Sequence, residues 1–174
     1  ESFDKVAKML KLGYPGGPLI EEKARLGNAL AHRFPRAFLE KGSLDFSFSG
    51  LKTSVRNIIS KRESCETPFL SDSDISAGFQ SAVFDVLTDK VFLACEKEKV
   101  NRIVVTGGVA ANSALRKRIT IKASNLGLKS YFPKPKFCTD NAAMIACAGY
   151  YKNLNKSLSL KDTLSLDAKA SLKI

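Results

Sequence analysis

Apolar residues recur at intervals of three and four over the first hundred positions. In "SFDKVAKMLKL" (2–12), Phe3, Val6, Ala7 and Leu10 share one helical face, and Gly13 is expected to stop the helix. "GYPGGP" (13–18) marks a turn. Pro18 suits the first turn of a second helix, "PLIEEKARLGNAL", because its missing N–H would have no intrahelical partner there. The next stretch is irregular until "LDFSFSG", where the Phe46/Phe48 alternation predicts a short strand. "GLKTSVRNIISKR" predicts a helix with Leu51, Val55, Ile58 and Ile59 on one face. "ESCETPFLSDSD" has loop composition, and Ser71 or Asp72 is expected to cap a helix running to about residue 99. Two apolar stripes descend that helix: Ile75, Phe79, Ala82, Val83 and Val86, then Phe84, Leu87, Val91 and Cys95. A face so wide implies burial on two sides.

Beyond residue 100 the pattern changes. "NRIVVTGG" predicts a strand entering a glycine turn. "NSALRKRITIKASNL" predicts a helix with Leu115, Ile119, Ala123 and Leu126 inward and Gly127 closing it. "LKSYF" predicts a second strand, "PKPKFCTDN" a loop and "DNAAMIACAGYYKN" a helix. This β-α-β-α order predicts a parallel α/β layer. Residues 153–174 space leucines weakly (Leu154, Leu158, Leu160, Leu164, Leu166), as a tail needing a partner surface would.

The length of 174 residues allows one domain with a subdomain. Twenty-eight Lys and Arg against 17 Asp and Glu give +11, a balance that suits a polyanionic partner and equally a basic soluble protein. Cys65, Cys95, Cys138 and Cys147 are far apart and form no C-x-x-C, so reduced thiols in a cytosol-like compartment are expected. His32 is the one histidine, which excludes a His-rich metal site built from this chain alone. No stretch approaches the ~20 apolar residues of a membrane span, and no secretory leader is expected. The chain starts at Glu1, without Met and inside a helical pattern, so a fragment or processed chain is expected.

Several clusters carry candidate chemistry. In "TGGVAAN", Gly107 and Gly108 stand where a strand meets a helix N-terminus, a point that offers free N–H groups to a phosphate or ribose. Ala110 and Ala111 would keep the approach open, and Asn112 adds a donor and an acceptor. The motif is neither G-x-G-x-x-G nor a P-loop. A tight turn with Asn112 or Ser113 as N-cap would use the same residues. In "CTDN", Asp140 lies on the presumed ligand side of the sheet and could hold a metal, or simply stabilise the following helix. Asp4 could accept from a sugar hydroxyl, with Gly16 and Gly17 letting it pass. Taken alone, Asp4, Glu21 and Glu22 are better explained as solvated acids. Arg116, Lys117, Arg118, Lys122, Lys134 and Lys136, with Lys52, Arg56, Lys61 and Arg62, could meet phosphates or form ordinary solvated faces. His32 has no visible partner, and no Ser/His/Asp or Cys/His arrangement is present.

The segments "ESFDKVAKMLKLGYPGGP", "FPRAFLEKGSLDFSFSGLKTSVRN", "VVTGGVAANSALR" and "FPKPKFCTDNAAMIACAGYY" occur in this order. Over nearly the whole chain they resemble the C-terminal part of the tRNA threonylcarbamoyladenosine transferase catalytic subunit family. That family is called TsaD in bacteria and carries the older label O-sialoglycoprotein endopeptidase, Gcp. The resemblance implies an α/β, actin-like fold of the sugar-kinase/Hsp70 type, with this chain as most of the second lobe. Residues 18–100 would be a mostly helical insertion, 101–152 the α/β core and 153–174 the tail. It implies transfer of a threonylcarbamoyl group from threonylcarbamoyl-adenylate to the exocyclic amine of the adenosine beside the tRNA anticodon. The family's nucleotide-binding Asp, Gly and Asn fall on Asp4, Gly17 and Asn112, and its metal-ligand Asp on Asp140. Glu21 matches a ribose-side Glu found in some branches.

The resemblance further implies one divalent ion, iron or zinc, and threonylcarbamoyl-adenylate or ATP as nucleotide ligand. Its partners would be tRNA and subunits of the TsaB and TsaE type, in a bacterial cytoplasm, with a mitochondrial relative as the other possibility. The family's H-x-x-x-H metal ligands and its other glycine loop are missing from this chain, so the fragment alone is expected to be inactive. Its tail would be disordered or covered in a dimer. Other readings of the residues are an actin-like ATPase or sugar kinase, the older metalloprotease label (which lacks H-E-x-x-H here) and a basic module docking partners or tRNA.

Overall fold

The computed structural model describes residues 1–37, 42–64, 70–154, 161, 164, 165 and 167. The chain divides into two units, Glu1–Cys138 and Thr139–Ile174. Among the described residues, no helix is long and apolar enough to cross a membrane.

The first unit opens with helix α1 (Ser2–Met9), which buries Phe3, Val6 and Ala7. Its chain reverses at Lys11, which takes a left-handed φ of 57°. The helix therefore ends before Gly13, earlier than expected. Helix α2 (Gly16–Leu26) starts at the first glycine of "GGP", with Pro18 in its first turn as predicted. α1 and α2 touch so closely that a Cβ on Gly16 would lie 2.6 Å from the Asp4 Cα.

Residues 43–48 adopt neither helix nor strand, so the strand expected at Phe46/Phe48 does not form. The two rings instead lie 5.4 Å apart just ahead of helix α3 (Ser49–Glu63), and Phe46 is exposed. Leu51, Val55 and Ile59 of α3 are buried and Ile58 packs against them, as their spacing predicted.

Helix α4 (Asp72–Glu98) is the axis of this unit and lies against α2, α3 and the later α5. Ser71 caps it: its hydroxyl accepts from the Asp74 N–H at 3.0 Å, and the Asp74 carboxylate accepts from the Ser71 N–H at 3.2 Å. This reciprocal pair satisfies two amides that would otherwise lack partners. Phe79 and Phe84 of α4 meet the Phe3 ring at 5.1 and 6.2 Å. Burial runs almost around the helix, because neighbours cover it on several sides.

Strand β1 (Arg102–Val104) leads through a 3-10 turn (Gly108–Ala111) into helix α5 (Ser113–Asn125), and strand β2 (Lys129–Tyr131) follows. β1 and β2 pair in parallel, with Ile103 opposite Ser130, as the predicted β-α-β order requires. Leu115, Ile119 and Ala123 face the core. Leu126 does not: it lies past the helix end and is 57% exposed. There the Gly127 N–H donates to the Ser124 carbonyl and the Leu128 N–H to the Ala123 carbonyl, closing α5 with a left-handed glycine. Leu128, not Leu126, packs back on the core. The loop after β2 contains a second 3-10 turn, Pro135–Phe137.

The second unit holds helix α6 (Ala142–Asn153). Met144, Ile145, Tyr150, Tyr151, Leu154 and Leu164 are exposed. Cys65, Leu158, Leu160 and Leu166 lie outside the described residues.

Candidate functional site

Val104 ends β1 and the chain enters the glycine pair. Gly107 takes φ 90°, a region open to glycine and strained for other residues. Both glycines are exposed, and a Cβ on either would meet nothing within 4 Å. Their carbonyl side is used: the Ala110 N–H donates to the Gly107 carbonyl at 2.9 Å. Among the described residues, none accepts from the Gly107 or Gly108 N–H. Ala110 does not flank an open approach as expected, since it is buried beneath the turn.

The N-terminus of α5 differs from the expectation of free amides. Each donor of its first turn already has a partner. Ala114 and Leu115 donate to Asn112 Oδ1 at 3.0 and 3.1 Å. The Ser113 N–H donates to Glu21 Oε1 at 3.0 Å, and its hydroxyl donates to the same oxygen. The Glu21 carboxylate thus occupies the place a bound anion would take. Burial acts to raise the Glu21 pKa. The Ser113 hydroxyl and N–H and the Arg25 guanidinium outweigh it, and the carboxyl is held below its ordinary value. Among the described residues, the N–H groups of Gly107, Gly108 and Val109 ahead of α5 have no acceptor.

Asn112 is the α5 cap and is buried. Its Nδ2 donates to Gln80 Oε1 of α4 at 2.8 Å. Helix α2 connects these groups to Asp4. Asp4 Oδ1 accepts from the Gly16 N–H at 2.9 Å, and Oδ2 lies 3.1 Å from the Glu1 amino group. The Gly16 N–H first, then that amine, hold the Asp4 carboxyl below its ordinary value. One residue on, Gly17 faces open space, with nothing within 4 Å of a would-be Cβ. Gly16 is demanded by packing and Gly17 is not. A cavity of about 560 Å³ opens beside Asp4, lined also by Lys5, Lys8, Lys11 and Tyr14.

The sequence places Arg116 on a solvated or phosphate-facing surface. It turns inward instead, donating to the Ala110 carbonyl, to the Pro133 carbonyl at 2.7 Å and to Cys138 Sγ at 3.1 Å. Its guanidinium also lies over the Phe132 ring. Arg118 pairs with Asp85, and Lys122 lies 2.7 Å from Asp89. Asp85 also holds Arg36 at 2.8 Å. These α5 cations therefore knit the unit together. Lys117, Lys134 and Lys136 are exposed. His32 has an aromatic neighbour, Phe34, with ring centroids 4.6 Å apart.

Asp140 is an exposed carboxylate in the second unit. The cap of α6 is its neighbour Asn141, whose Oδ1 accepts from the Met144 N–H at 3.0 Å. Among the described residues, no three His, Cys, Asp or Glu side chains gather where they could hold a metal. The described residues therefore do not make a metal site of their own, and no chemical step is routed through one.

A family model described as "TsaD: tRNA N6-adenosine threonylcarbamoyltransferase" matches residues 1–147. The chain is similar to the tRNA N6-adenosine threonylcarbamoyltransferase of Clostridium perfringens (strain SM101 / Type A), 44% identical over 174 residues, 100% of this chain and 50% of that relative. The protein of the same name from Desulfitobacterium hafniense (strain Y51) is 51% identical over 157 residues, 90% and 46% of the two chains. That from Kosmotoga olearia is 50% identical over 163 residues, 94% and 48%. The chain spans about half the length of the curated relatives it matches.

Proposed function

Because the chain belongs to the tRNA N6-adenosine threonylcarbamoyltransferase family, we propose that it supplies one wall of the nucleotide cleft of a tRNA-modifying acyltransferase. The acyl donor is threonylcarbamoyl-adenylate. The exocyclic nitrogen of the tRNA adenosine bonds to the carbamoyl carbon as the bond to the adenylate oxygen breaks, releasing AMP and a proton. No side chain of this chain acts as nucleophile in that reading. The wall binds and orients, and rate follows from placing the two reactants together.

One observation carries the proposal. Gly107 and Gly108 are exposed and present two N–H groups with no acceptor among the described residues, at the entry to the 3-10 turn that leads into α5, whose own first turn is satisfied. An adenylate phosphate or ribose oxygen fits such donors. Gly17 supports the reading, since the packing of this unit gives no reason for its missing side chain. Asp4, Glu21 and Asn112 hold the wall in register, and the lysines beside Asp4 favour an anionic ligand.

The same reading makes the chain the second lobe of an actin-like α/β protein, with residues 18–100 as its helical insertion, 101–152 as its α/β core and 153–174 as its tail. Asp140 would be a single metal ligand, with tRNA and TsaB- and TsaE-type subunits as partners in a bacterial cytoplasm. The fragment alone would not turn over. The test is transfer of labelled threonylcarbamoyl to tRNA by the full-length protein with its partner proteins, comparing wild type with Asn112→Ala and Asp140→Ala. Both variants should lose most activity, and unchanged rates in both would reject the site.

A further inference from the structure

Gln80 is a polar side chain, 8% exposed, on a stretch of α4 where Ile75, Ser76, Phe79, Ala82 and Val83 are also buried. Burying an amide there is unfavourable unless it is hydrogen-bonded. Its partner is Asn112, itself 6% exposed and 32 residues away. The bond fixes more than a contact. Both acceptor sites of Asn112 Oδ1 are taken by the Ala114 and Leu115 N–H groups, and Nδ2 donates to Gln80. Turning the Asn112 amide over would set its NH2 against two backbone N–H groups, so its orientation is determined. Among the described residues, one Nδ2 hydrogen is left over.

We infer that Gln80 is a positioning residue that locks Asn112 so that it can meet a ligand only as a single hydrogen-bond donor. The ligand atom opposite must then be an acceptor: a ribose or phosphate oxygen or an adenine ring nitrogen, not the adenine amino group. Gln80 itself does not touch the ligand. The inference rests on Asn112 being a nucleotide contact.

The experiment is calorimetric titration of the full-length protein with AMP. Gln80→Leu removes the acceptor and should weaken AMP about ten-fold, the expected size for one buried amide hydrogen bond lost from a binding group. Gln80→Glu keeps an acceptor and should stay within about two-fold of wild type. In the Asn112→Ala background, Gln80→Leu should have no further effect. The inference is overturned if Gln80→Leu leaves AMP affinity unchanged, or if it weakens AMP equally in both backgrounds. An Asn112→Ala variant that binds AMP as wild type rejects the nucleotide-contact reading instead. Side-chain amide NMR of the unsubstituted protein gives a test that needs no variant to fold. AMP should shift one Asn112 Nδ2 hydrogen and leave the one bonded to Gln80 in place. Movement of both or neither contradicts the lock.

Discussion

Glu21 and Ser113 lie 92 positions apart and are joined through one carboxylate oxygen. Glu21 Oε1 accepts from the Ser113 N–H at 3.0 Å and from its hydroxyl. This bond ties α2 to the start of α5 and so sets one side of the glycine turn. Replacing Glu21 with Ala leaves the Ser113 amide without its acceptor. Because the link is exposed and water can replace it in part, a loss of about 0.5–1.5 kcal/mol in urea-unfolding free energy is expected, with Glu21→Gln losing less. Equal unfolding midpoints for Glu21→Ala and wild type would show the link contributes nothing.

Adjacent glycines should respond in opposite ways. Gly16→Ala puts a methyl 2.6 Å from the Asp4 Cα and 2.7 Å from the Phe3 carbonyl oxygen, both backbone atoms that cannot step aside. It should cost about 1–3 kcal/mol by forcing α1 and α2 apart. Gly17→Ala meets nothing and gains helix propensity, so it should keep stability or raise it by up to about 1 kcal/mol. If Gly17 faces the nucleotide, the same variant binds AMP more weakly while melting no lower than wild type. Calorimetry and thermal unfolding on one sample separate the two effects.

Arg116 holds three groups at once, from the glycine turn to the loop after β2. Lysine has one cationic centre and cannot reproduce that fork. Arg116→Lys should release the 133–138 loop, seen as faster amide exchange of Phe137 and Cys138 with little change in α4. Unaltered exchange at those two amides would contradict the clamp.

Acid should unlock the first unit at defined points. Asp4, Glu21 and Asp74 all have folded-state pKa values lowered from ordinary values of 3.8, 4.5 and 3.8. For Asp74 the causes are the Ser71 hydroxyl and the Asn28 N–H. A lowered folded value means the stabilisation is complete above the unfolded pKa and is lost as pH falls through the folded one. The urea midpoint should hold down to about pH 5 and drop towards about pH 3. Glu21→Gln should flatten part of that drop, and a slope identical to wild type would remove Glu21 as a contributor.

Much of this arrangement was legible beforehand. The double stripe on α4 and the spacing of Leu51, Val55 and Ile59 depend on local period alone, and burial followed it. Phe46 and Phe48 misled because alternation marks a strand only when another strand pairs with it, and among the described residues no strand pairs with 43–48. Leu126 kept the helical period, but α5 had already ended at Asn125. At the candidate site, the glycine pair and the Asn112 cap could be read locally. Glu21 on Ser113 and Gln80 on Asn112 could not, since each joins helices far apart in sequence. Arg116 looked like a surface cation because nothing in "NSALR" reveals three inward acceptors.

The pairing of β1 with β2 places Arg102 directly opposite Lys129. Like charges across a parallel pair weaken it slightly. The sheet has two strands among the described residues, and the two cations sit at the start of both. The pair is therefore weakest at the end farthest from the glycine turn.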